Sequence, residues 1–359
     1  MVLYRQTAAA TLSVLGMLAL GACGDDGSAG DGTAPDNAPT DGGGGGEASV
    51  VEVDLDGADD AGPLVGAATV DDTTIAVTRD GYVIGNGDGD DWEPVDADGL
   101  PEPGGEDDAD EDQEETVGGV AAGPDGYVAV GTLRFLVADA QPEQLVWTSS
   151  DGEEWESAGP DGLDGTGLGP VTSTGAELLA AGDTDDETTP ALWASGNGED
   201  WEQLNADGLE AGGSDLLSQL ESMAAIDDVV LATGAVACVD DCESDYTTLF
   251  RSDDGGQSWA ELAPDDTDGL ESLENPFDEV PVVTVFGDGF ALIGAGGDGE
   301  SPVLTVWTSP DGTEWTEELR LDDTPLRTVQ VATATETGLV ALALDDGVLT
   351  VVEIATAAG

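Results

Sequence analysis

The chain has 359 residues, of which 79 are acidic, six are arginines and none is lysine or histidine. Its formal charge is therefore −73. Nucleic acid and anionic membrane surfaces bind proteins mainly through clustered Lys and Arg, so both are disfavoured as partners of this chain.

The N-terminus carries the features of an export signal. Arg5 is followed by an almost wholly apolar run, residues 8–22, which is short for a membrane span and suits the core of a signal peptide. The run ends in Leu20-Gly21-Ala22-Cys23, which resembles the lipobox of bacterial lipoproteins. The resemblance implies cleavage before Cys23 and a lipid on its sulfur; an ordinary secretory signal is the alternative. We predict a signal peptide at 1–22 and anchoring on the extracytoplasmic face of the cell membrane.

The segment that follows, 23–48, is rich in Gly, Asp, Ser, Pro and Thr. Such a composition cannot bury a core and is typical of disorder. We predict that it is a tether with a root-mean-square reach of roughly 25–30 Å. The lipid on Cys23 would then be the only contact of the chain with the membrane.

One short pattern recurs five times and accounts for all eight tryptophans. It reads apolar-x-[Ser/Asn]-x-[Asp/Asn]-Gly-x-x-Trp, with one extra Gly in the fourth copy, and we call each copy a tryptophan turn. The closing tryptophans follow one another at intervals of 63, 46, 58 and 56 residues, a period that indicates a repeat architecture. The Ser, Asp and closing Trp positions are Asn86, Asp88 and Trp92; Ser149, Asp151 and Trp155; Ser195, Asn197 and Trp201; Ser252, Asp254 and Trp259; and Ser309, Asp311 and Trp315.

Each tryptophan turn predicts a β-hairpin. The residues up to Ser enter as a strand, and Asp-Gly makes the tight turn, because Gly tolerates positive φ and Asp bonds its own nearby backbone. The closing Trp starts the returning strand and packs against the hairpin. Two further apolar runs precede each turn, as in "VVTVFGDGFALIGAGG", which makes four antiparallel strands per repeat. Such units arranged radially form a β-propeller.

The last repeat, 327–354, has three strands and no closing Trp. The stretch 49–55 is strand-like and belongs to no repeat. Because folded proteins avoid exposed sheet edges, we predict that this N-terminal strand completes the last blade. The sequence thus predicts an all-β, six-bladed propeller over 49–359, with seven blades as the alternative if a poor repeat lies within a longer interval.

The tryptophan turn resembles the Asp-box, or bacterial neuraminidase repeat, of sialidase-like propellers, whose common form is Ser/Thr-x-Asp-x-Gly-x-x-Trp. The copy with Ser252, Asp254, Gly256 and Trp259 matches this form in full. Three copies are one residue shorter, and the first has Asn86 in place of Ser. The resemblance covers about residues 64–357. It implies that the turns lie on the outside, between the third and fourth strands of a blade, away from the central site.

Sialidase activity in that family needs three arginines around a carboxylate, a Tyr nucleophile with a Glu partner, and an acid/base Asp. The family's Arg-Ile-Pro motif is absent here. No residue can be carried over to a catalytic position, so we predict no catalytic residues and no cofactor-binding residues. The arginines of the mature chain are Arg79, Arg134, Arg251, Arg320 and Arg327.

Cys238 and Cys242 form a lone pair in "ACVDDCESD". In an exported protein such a pair predicts a disulfide; metal binding is the alternative, without a His or a second Cys pair to support it. Asp108, Asp110 and Asp112 alternate in "EDDADEDQEE" and are weak calcium candidates, since Gln113 and Gly119 do not fit an EF-type loop. The run 183–187 is another such candidate.

These patterns favour an exported, lipid-anchored, monomeric propeller that binds an envelope protein or glycan without catalysing a reaction. The sequence does not distinguish this binding function from that of a spacer or a substrate-capture module. A glycoside hydrolase of sialidase type, acting on surface glycans, is the alternative, because many glycosidases need only two carboxylates at a suitable separation.

The charge and the absence of Lys resemble the acidic bias of halophile proteomes, and they generate the first prediction. Without Arg5, five arginines face 79 acidic residues, and the formal charge of the mature chain is −74. Self-repulsion of such a surface destabilises the compact state, and 1 M salt reduces the Debye length to roughly 3 Å. We expect the melting temperature, followed by circular dichroism, to be much higher in 3 M KCl than in dilute buffer. Equal melting temperatures would contradict a salt-dependent fold.

Overall fold

The computed structural model describes residues 48–55, 57–58, 61–86, 91–101, 113–135, 140–160, 162–163, 167–183, 190–209, 216–237, 246–262, 267–270, 273, 280–296, 303–321 and 328–355. Within these ranges, 24 strands form six four-stranded antiparallel sheets. The predicted all-β propeller of six blades is confirmed, and the seven-bladed alternative is excluded.

The strands are numbered along the chain, and the first is β1 (Ala48–Asp54). Blade 1 contains β2 (Leu64–Val70), β3 (Thr73–Thr78), β4 (Val83–Gly85) and β5 (Glu93–Val95). Blade 2 contains β6 (Gln113–Gly123), β7 (Gly126–Phe135), β8 (Glu143–Ser149) and β9 (Glu156–Ala158). Blade 3 contains β10 (Gly167–Ser173), β11 (Leu178–Asp183), β12 (Ala191–Ser195) and β13 (Glu202–Gln203).

Blade 4 contains β14 (Leu216–Ile226), β15 (Val229–Ala237), β16 (Tyr246–Ser252) and β17 (Ala260–Leu262). Blade 5 contains β18 (Val282–Phe286), β19 (Gly289–Gly296), β20 (Val303–Ser309) and β21 (Thr316–Leu321). Blade 6 contains β22 (Val331–Thr335), β23 (Gly338–Asp345), β24 (Val348–Ala355) and, as its fourth strand, β1.

The ring closes as the sequence predicts, through the N-terminal strand. β1 pairs antiparallel with β24 over seven residues, from Ala48 opposite Ile354 to Asp54 opposite Val348. The Ser49 hydroxyl adds a hydrogen bond of 3.0 Å to the Glu353 carboxylate. The strand predicted at 49–55 therefore lies one residue earlier, and it supplies the outer edge that blade 6 lacks.

The hydrophobic core lies in the seams between neighbouring blades. Six clusters of buried residues correspond to the six seams, and each joins faces of two adjacent sheets. At the seam between blades 1 and 2, for example, Ile75 and Val77 of β3 share a cluster with Tyr127 of β7. The closing tryptophans belong to five of these clusters: Trp92 between blades 6 and 1, Trp155 between 1 and 2, Trp201 between 2 and 3, Trp259 between 3 and 4, and Trp315 between 4 and 5.

A second repeated element, which the sequence reading missed, connects each blade to the next. An Asp-Gly-Leu segment follows the fourth strands of blades 1 to 4. The backbone carbonyl of Asp98 accepts a 2.8 Å hydrogen bond from the amide of Trp155 in the following blade, and Asp207 does the same for Trp259 at 2.7 Å. The leucines Leu100, Leu163, Leu209 and Leu270 are all buried. The segment therefore anchors the closing tryptophan across the seam.

Gly99 of this segment generates the second prediction. Its φ is +100°, and a Cβ at this position would overlap the carbonyl oxygen of Trp155. We expect Gly99→Ala to lower the free energy of unfolding by about 1–2 kcal/mol or more, because an L residue is strained at positive φ and the seam must also open. Denaturant unfolding in 3 M KCl measures this change.

Gly159→Ala is the matched control, since nothing lies within 4 Å of a Cβ built on Gly159. It should change the free energy of unfolding by less than about 0.5 kcal/mol. Equal effects of the two substitutions would show that Gly99 is not needed for the contact between blades.

Candidate functional site

The connections between strands divide into two rims. Because neighbouring strands are antiparallel, connections after the first and third strands of a blade lie at one rim, and those after the second and fourth lie at the other. At the first rim, five of the blades join their first two strands through two residues only. The tryptophan turns, which follow third strands, lie on this same rim. We call it the turn rim, and the opposite one the loop rim.

In blades 2, 3 and 4, three side chains close the tryptophan turn by hydrogen bonds. In blade 2 the Ser149 hydroxyl accepts from the amide of Gly152 at 2.9 Å, and Asp151 Oδ1 accepts from the amides of Glu153 and Glu154 at 2.9 and 3.1 Å. The indole of Trp155 donates to the carbonyl of Gly152 at 2.9 Å. The same serine-to-glycine bond is made by Ser195, Ser252 and Ser309, at 2.9, 2.9 and 2.8 Å. These polar groups serve the turn itself.

Asn197 shows that the acidic position does not need a charge. Its Oδ1 accepts from the amides of Glu199 and Asp200, both at 2.9 Å, as the carboxylate of Asp151 does one blade earlier. Asn86, in the Ser position of the first copy, does something different. It exchanges hydrogen bonds with the backbone of Thr74 on β3, with its Oδ1 accepting at 2.9 Å. Asp88 lies outside the described residues.

The carboxylates of the turns are stabilised in their charged form. The pKa of Asp151 lies below its ordinary value of 3.8, first because of the amide of Glu153. The pKa of Asp254 is lowered chiefly by the hydroxyl of Ser258, and that of Asp311 chiefly by the hydroxyl of Thr313. A carboxylate held charged by donors from its own turn is suited to fixing the turn rather than to transferring a proton.

The first strands of the blades surround the propeller axis and are built from small neutral residues. β6 reads "TVGGVAAG" over its second part, and β10 reads "GLGPVTS". A Cβ on Gly118 would overlap the carbonyl oxygen of Leu168, so β6 and β10 approach too closely for a larger residue. The carboxylates on the described parts of these first strands are Glu114, Glu115 and Glu221.

Of the described arginines, Arg251 and Arg320 lie on outer strands, whereas Arg79 and Arg134 adjoin the first strand β6. The carbonyl of Arg79 accepts a 2.8 Å hydrogen bond from the amide of Val117, and Arg134 lies opposite Glu114 in the pairing of β6 with β7. Arg251, on β16, forms an ion pair with Asp253 and donates from Nε to the carbonyl of Asp311 in blade 5 at 3.0 Å. Arg320 lies on the fourth strand β21 and pairs with Glu317 at 2.8 Å. Arg79 follows β3 and Arg134 lies near the end of β7, and both are exposed. Arg327 lies outside the described residues.

Tyr127 is the buried tyrosine of blade 2. Its hydroxyl donates to the carbonyl of Thr73 in blade 1 at 2.8 Å, and burial raises its pKa to about 12. A phenol with this pKa and this fixed hydrogen bond is a poor nucleophile at neutral pH. Its geometry instead makes it a polar contact across the seam between blades 1 and 2.

Several predicted positions fall outside the described part of the chain: Cys23, Cys238, Cys242, Asp108, Asp110 and Asp112. The lipid, the disulfide and the calcium site therefore stay predictions. In the ranges that the structure describes, no group of three or more acidic or Cys side chains is arranged to hold a metal ion. The same ranges contain no helix long and apolar enough to cross a membrane.

Comparison with known proteins finds similarity of structure only. No family model matches the chain, and no curated protein matches it in sequence. A Hadza microbial sialidase has a TM-score of 0.56 at 14% identity, with 82% of this chain and 65% of that chain covered. A protein of unknown function from Dyadobacter fermentans has a TM-score of 0.53 at 12% identity, covering 85% and 99%.

An α-L-arabinanase of Penicillium chrysogenum, solved with arabinobiose, has a TM-score of 0.51 at 11% identity, covering 81% of this chain and 92% of that chain. At such identities the likeness concerns the propeller fold alone. The fold is thus shared with glycoside hydrolases and with a protein of unknown function, and it does not distinguish binding from catalysis.

The lowered pKa of Asp151 generates the third prediction. A carboxylate whose pKa is lower in the folded than in the unfolded chain stabilises the fold above its unfolded pKa, and this contribution disappears as the pH falls through the folded pKa. We expect Asp151→Asn to melt below the wild type at pH 6 in 3 M KCl. The gap in melting temperature should close as the pH is lowered below about 3.8, the ordinary value for Asp.

Glu153→Gln is the control for loss of one charge on the same exposed turn. At pH 6 the melting temperature of this variant should lie closer to that of the wild type than the melting temperature of Asp151→Asn does, because Asp151 accepts hydrogen bonds from the amides of Glu153 and Glu154. A gap for Asp151→Asn that stays constant with pH would mean that the carboxylate contributes through shape or hydrogen-bond count, and not through its charge.

Proposed function

We propose that this chain is an exported, lipid-anchored propeller that binds an envelope protein or a glycan at the cell surface and catalyses no reaction. The observation that carries the proposal is the distribution of cationic side chains. Arg251 is engaged with Asp253 and the carbonyl of Asp311 at the turn rim, and Arg320 with Glu317 on a fourth strand. Neither is available to a site at the propeller axis.

A sialidase-type site requires three arginines that converge on the substrate carboxylate, because paired guanidinium forks match that group. Among the described residues, two exposed arginines remain, Arg79 and Arg134, both beside the first strand β6 and one fewer than such a site requires. Tyr127, held as a neutral phenol by burial, is unsuited to the nucleophile's role. These placements favour binding over catalysis of sialidase type.

The cellular location is proposed from the sequence. Leu20-Gly21-Ala22-Cys23 resembles a lipobox, and the Gly- and Asp-rich segment 23–48 suits a tether. A propeller with 79 acidic residues and no Lys suits a salt-rich exterior, where screening removes the cost of self-repulsion. The lipid on Cys23 would hold the propeller near a membrane that its own surface repels.

The second candidate is a glycoside hydrolase. The shared fold of the sialidase and the arabinanase makes this worth testing, although fold alone does not assign activity. Two carboxylates at a suitable separation would suffice for such a reaction. Glu114, Glu115 and Glu221 are the carboxylates that the described first strands offer for it.

Hydrolysis of a fluorogenic glycoside panel, sialosides and arabinosides included, tests the proposal. The mature chain without its lipid, residues 24–359, is assayed in 3 M KCl after circular dichroism has confirmed the fold. We expect no turnover above a heat-denatured control. Turnover that Glu221→Gln or Glu114→Gln reduces by about a hundredfold or more would instead establish a hydrolase with its carboxylates on the first strands.

A further inference from the structure

The seam between blades 5 and 6 differs from the other five. Each of those holds the closing Trp of a tryptophan turn, and that Trp is between 5% and 7% exposed at all five. Blade 6 has no tryptophan turn, because its third strand ends at Ala355 and its fourth strand begins at Ala48. The described residues in the core of this seam include no tryptophan.

The pairing register shows which residue stands where the missing Trp belongs. In blade 2, Trp155 immediately precedes Glu156, and Glu156 pairs with Thr148. Thr148 in turn pairs with the third residue of β7. In blade 6, Ala48 immediately precedes Ser49, and Ser49 pairs with Glu353. Glu353 pairs with the third residue of β23, as Thr148 does with the third residue of β7. Ala48 therefore occupies the closing Trp position by register, and it packs against the core of this seam with a methyl group in place of an indole.

A groove lies on the turn rim next to Ala355, whose neighbour Ile354 pairs with Ala48. Its volume is about 280 Å³, and its lining comes from blade 5 and from the end of β24. The apolar part is formed by Phe286, Phe290, Pro310 and Ala355. Two carboxylates, those of Asp288 and Glu318, also line it.

At other seams, the surface that corresponds to this groove is covered by the tryptophan turn of the following blade. Gly198 of blade 3 packs near Val128 and Thr148 of blade 2, and Gly312 of blade 5 packs on Leu231 of blade 4. In blade 5 the residue with the register of Thr148 is Thr308, and it lines the open groove. The seat of a sixth turn is therefore formed on the blade 5 side and has no turn from blade 6 to fill it.

We propose that this groove binds a tryptophan side chain of a partner protein, presented on an extended or turn segment that carries lysine or arginine. The proposal deepens the binding function proposed above and rests on it. A Trp from the turn of the following blade belongs to the corresponding cluster at the five other seams, and this points to an indole as the side chain for the sixth. Asp288 and Glu318 add the complementary charge for a cationic neighbour.

The energetics favour this occupant. A buried Trp removes up to 250 Å² of surface from water, and Trp in a preformed pocket is among the strongest single contacts in protein interfaces. The groove is bounded by strands of two paired sheets, so little conformational entropy is lost when it is filled. A second copy of this chain would bring its own large negative charge to an acidic groove, so the cationic partner is preferred.

Peptide binding tests the site directly. The probe is a fluorescein-labelled Lys-Gly-Trp-Lys peptide, and its partner probe has Ala in place of Trp. Fluorescence anisotropy is measured with residues 24–359 in the lowest KCl concentration at which the chain is folded. We expect saturable binding of the Trp peptide and binding of the Ala peptide that is weaker by about tenfold or more. Equal binding of the two peptides would overturn the proposal.

Ala48→Trp is the decisive variant, since it supplies the missing side chain from within. It should lower the affinity for the Trp peptide by about tenfold or more and raise the melting temperature, because it fills a cavity in a seam. Val51→Trp is the matched control: Val51 is 43% exposed and lies three residues further along β1, away from the turn-rim end at which Ala48 is next to the groove. Equal loss of binding in both variants would place the peptide elsewhere.

The double variant Asp288→Asn, Glu318→Gln keeps the proposal testable if Ala48→Trp fails to fold. It should weaken the lysine-bearing Trp peptide severalfold and leave a peptide with Ser in place of each Lys unaffected. An unchanged affinity for the lysine peptide would show that the carboxylates of Asp288 and Glu318 do not contribute to binding. If the Trp peptide does not bind and no glycoside is hydrolysed, the groove is excluded as the binding site, and the proposed binding function must use another surface of the propeller.

Discussion

Packing in the seams between blades is the interaction on which the rest of this structure depends. A single four-stranded blade buries nothing by itself, since both of its faces are covered only by the neighbouring blades. Trp155, Trp201 and Trp259 therefore do two things at once: Trp155, for example, caps its own turn through Gly152 and fills the cluster shared with Ile75 of the previous blade. Because Asp98 then bonds the amide of Trp155, the fourth strand of one blade is connected to the turn of the next, and the ring propagates by contacts between nearest neighbours.

The parts of this arrangement that could be predicted from sequence are those with a short-range cause. Asp-Gly between apolar runs specifies a hairpin locally, so the strands and the number of blades follow from the repeat, and the missing fourth strand of the last repeat predicts its closure by residues near 49. The Asp-Gly-Leu segments were equally visible as letters, but their role depends on a contact with a Trp more than forty residues away. Asn86 shows the same limit, because its partner Thr74 belongs to the preceding strand and not to the turn whose pattern it fits.

The candidate site was less predictable for a related reason. The composition shows that arginines are scarce, but the groups that each arginine contacts in the fold determine whether it can bind a ligand. Arg251 joins two tryptophan turns of neighbouring blades, since its guanidinium reaches both Asp253 and the backbone of Asp311. In a chain with so few cations, an arginine used in this way is unavailable for recognition. The same holds for Tyr127, whose hydroxyl joins blades 1 and 2 through Thr73. Groups with catalytic potential are here part of the framework.

The groove between blades 5 and 6 follows from how the ring is closed. In a propeller whose last blade takes its fourth strand from the N-terminal part of the chain, the third and fourth strands of that blade are not joined by a turn; here β24 ends at Ala355 and β1 begins at Ala48. Five seams are fixed by a turn that is continuous with both of its strands. The sixth is packed through its own hydrophobic cluster without such a turn, and among the described residues it has neither the Gly that packs on the previous blade nor the Trp that fills the seam. Ring closure by β1 and the lack of a closing Trp in blade 6 are thus consequences of the same topology, and a partner bound in the groove would also stabilise the packing of blade 6, the blade that closes the ring, on blade 5.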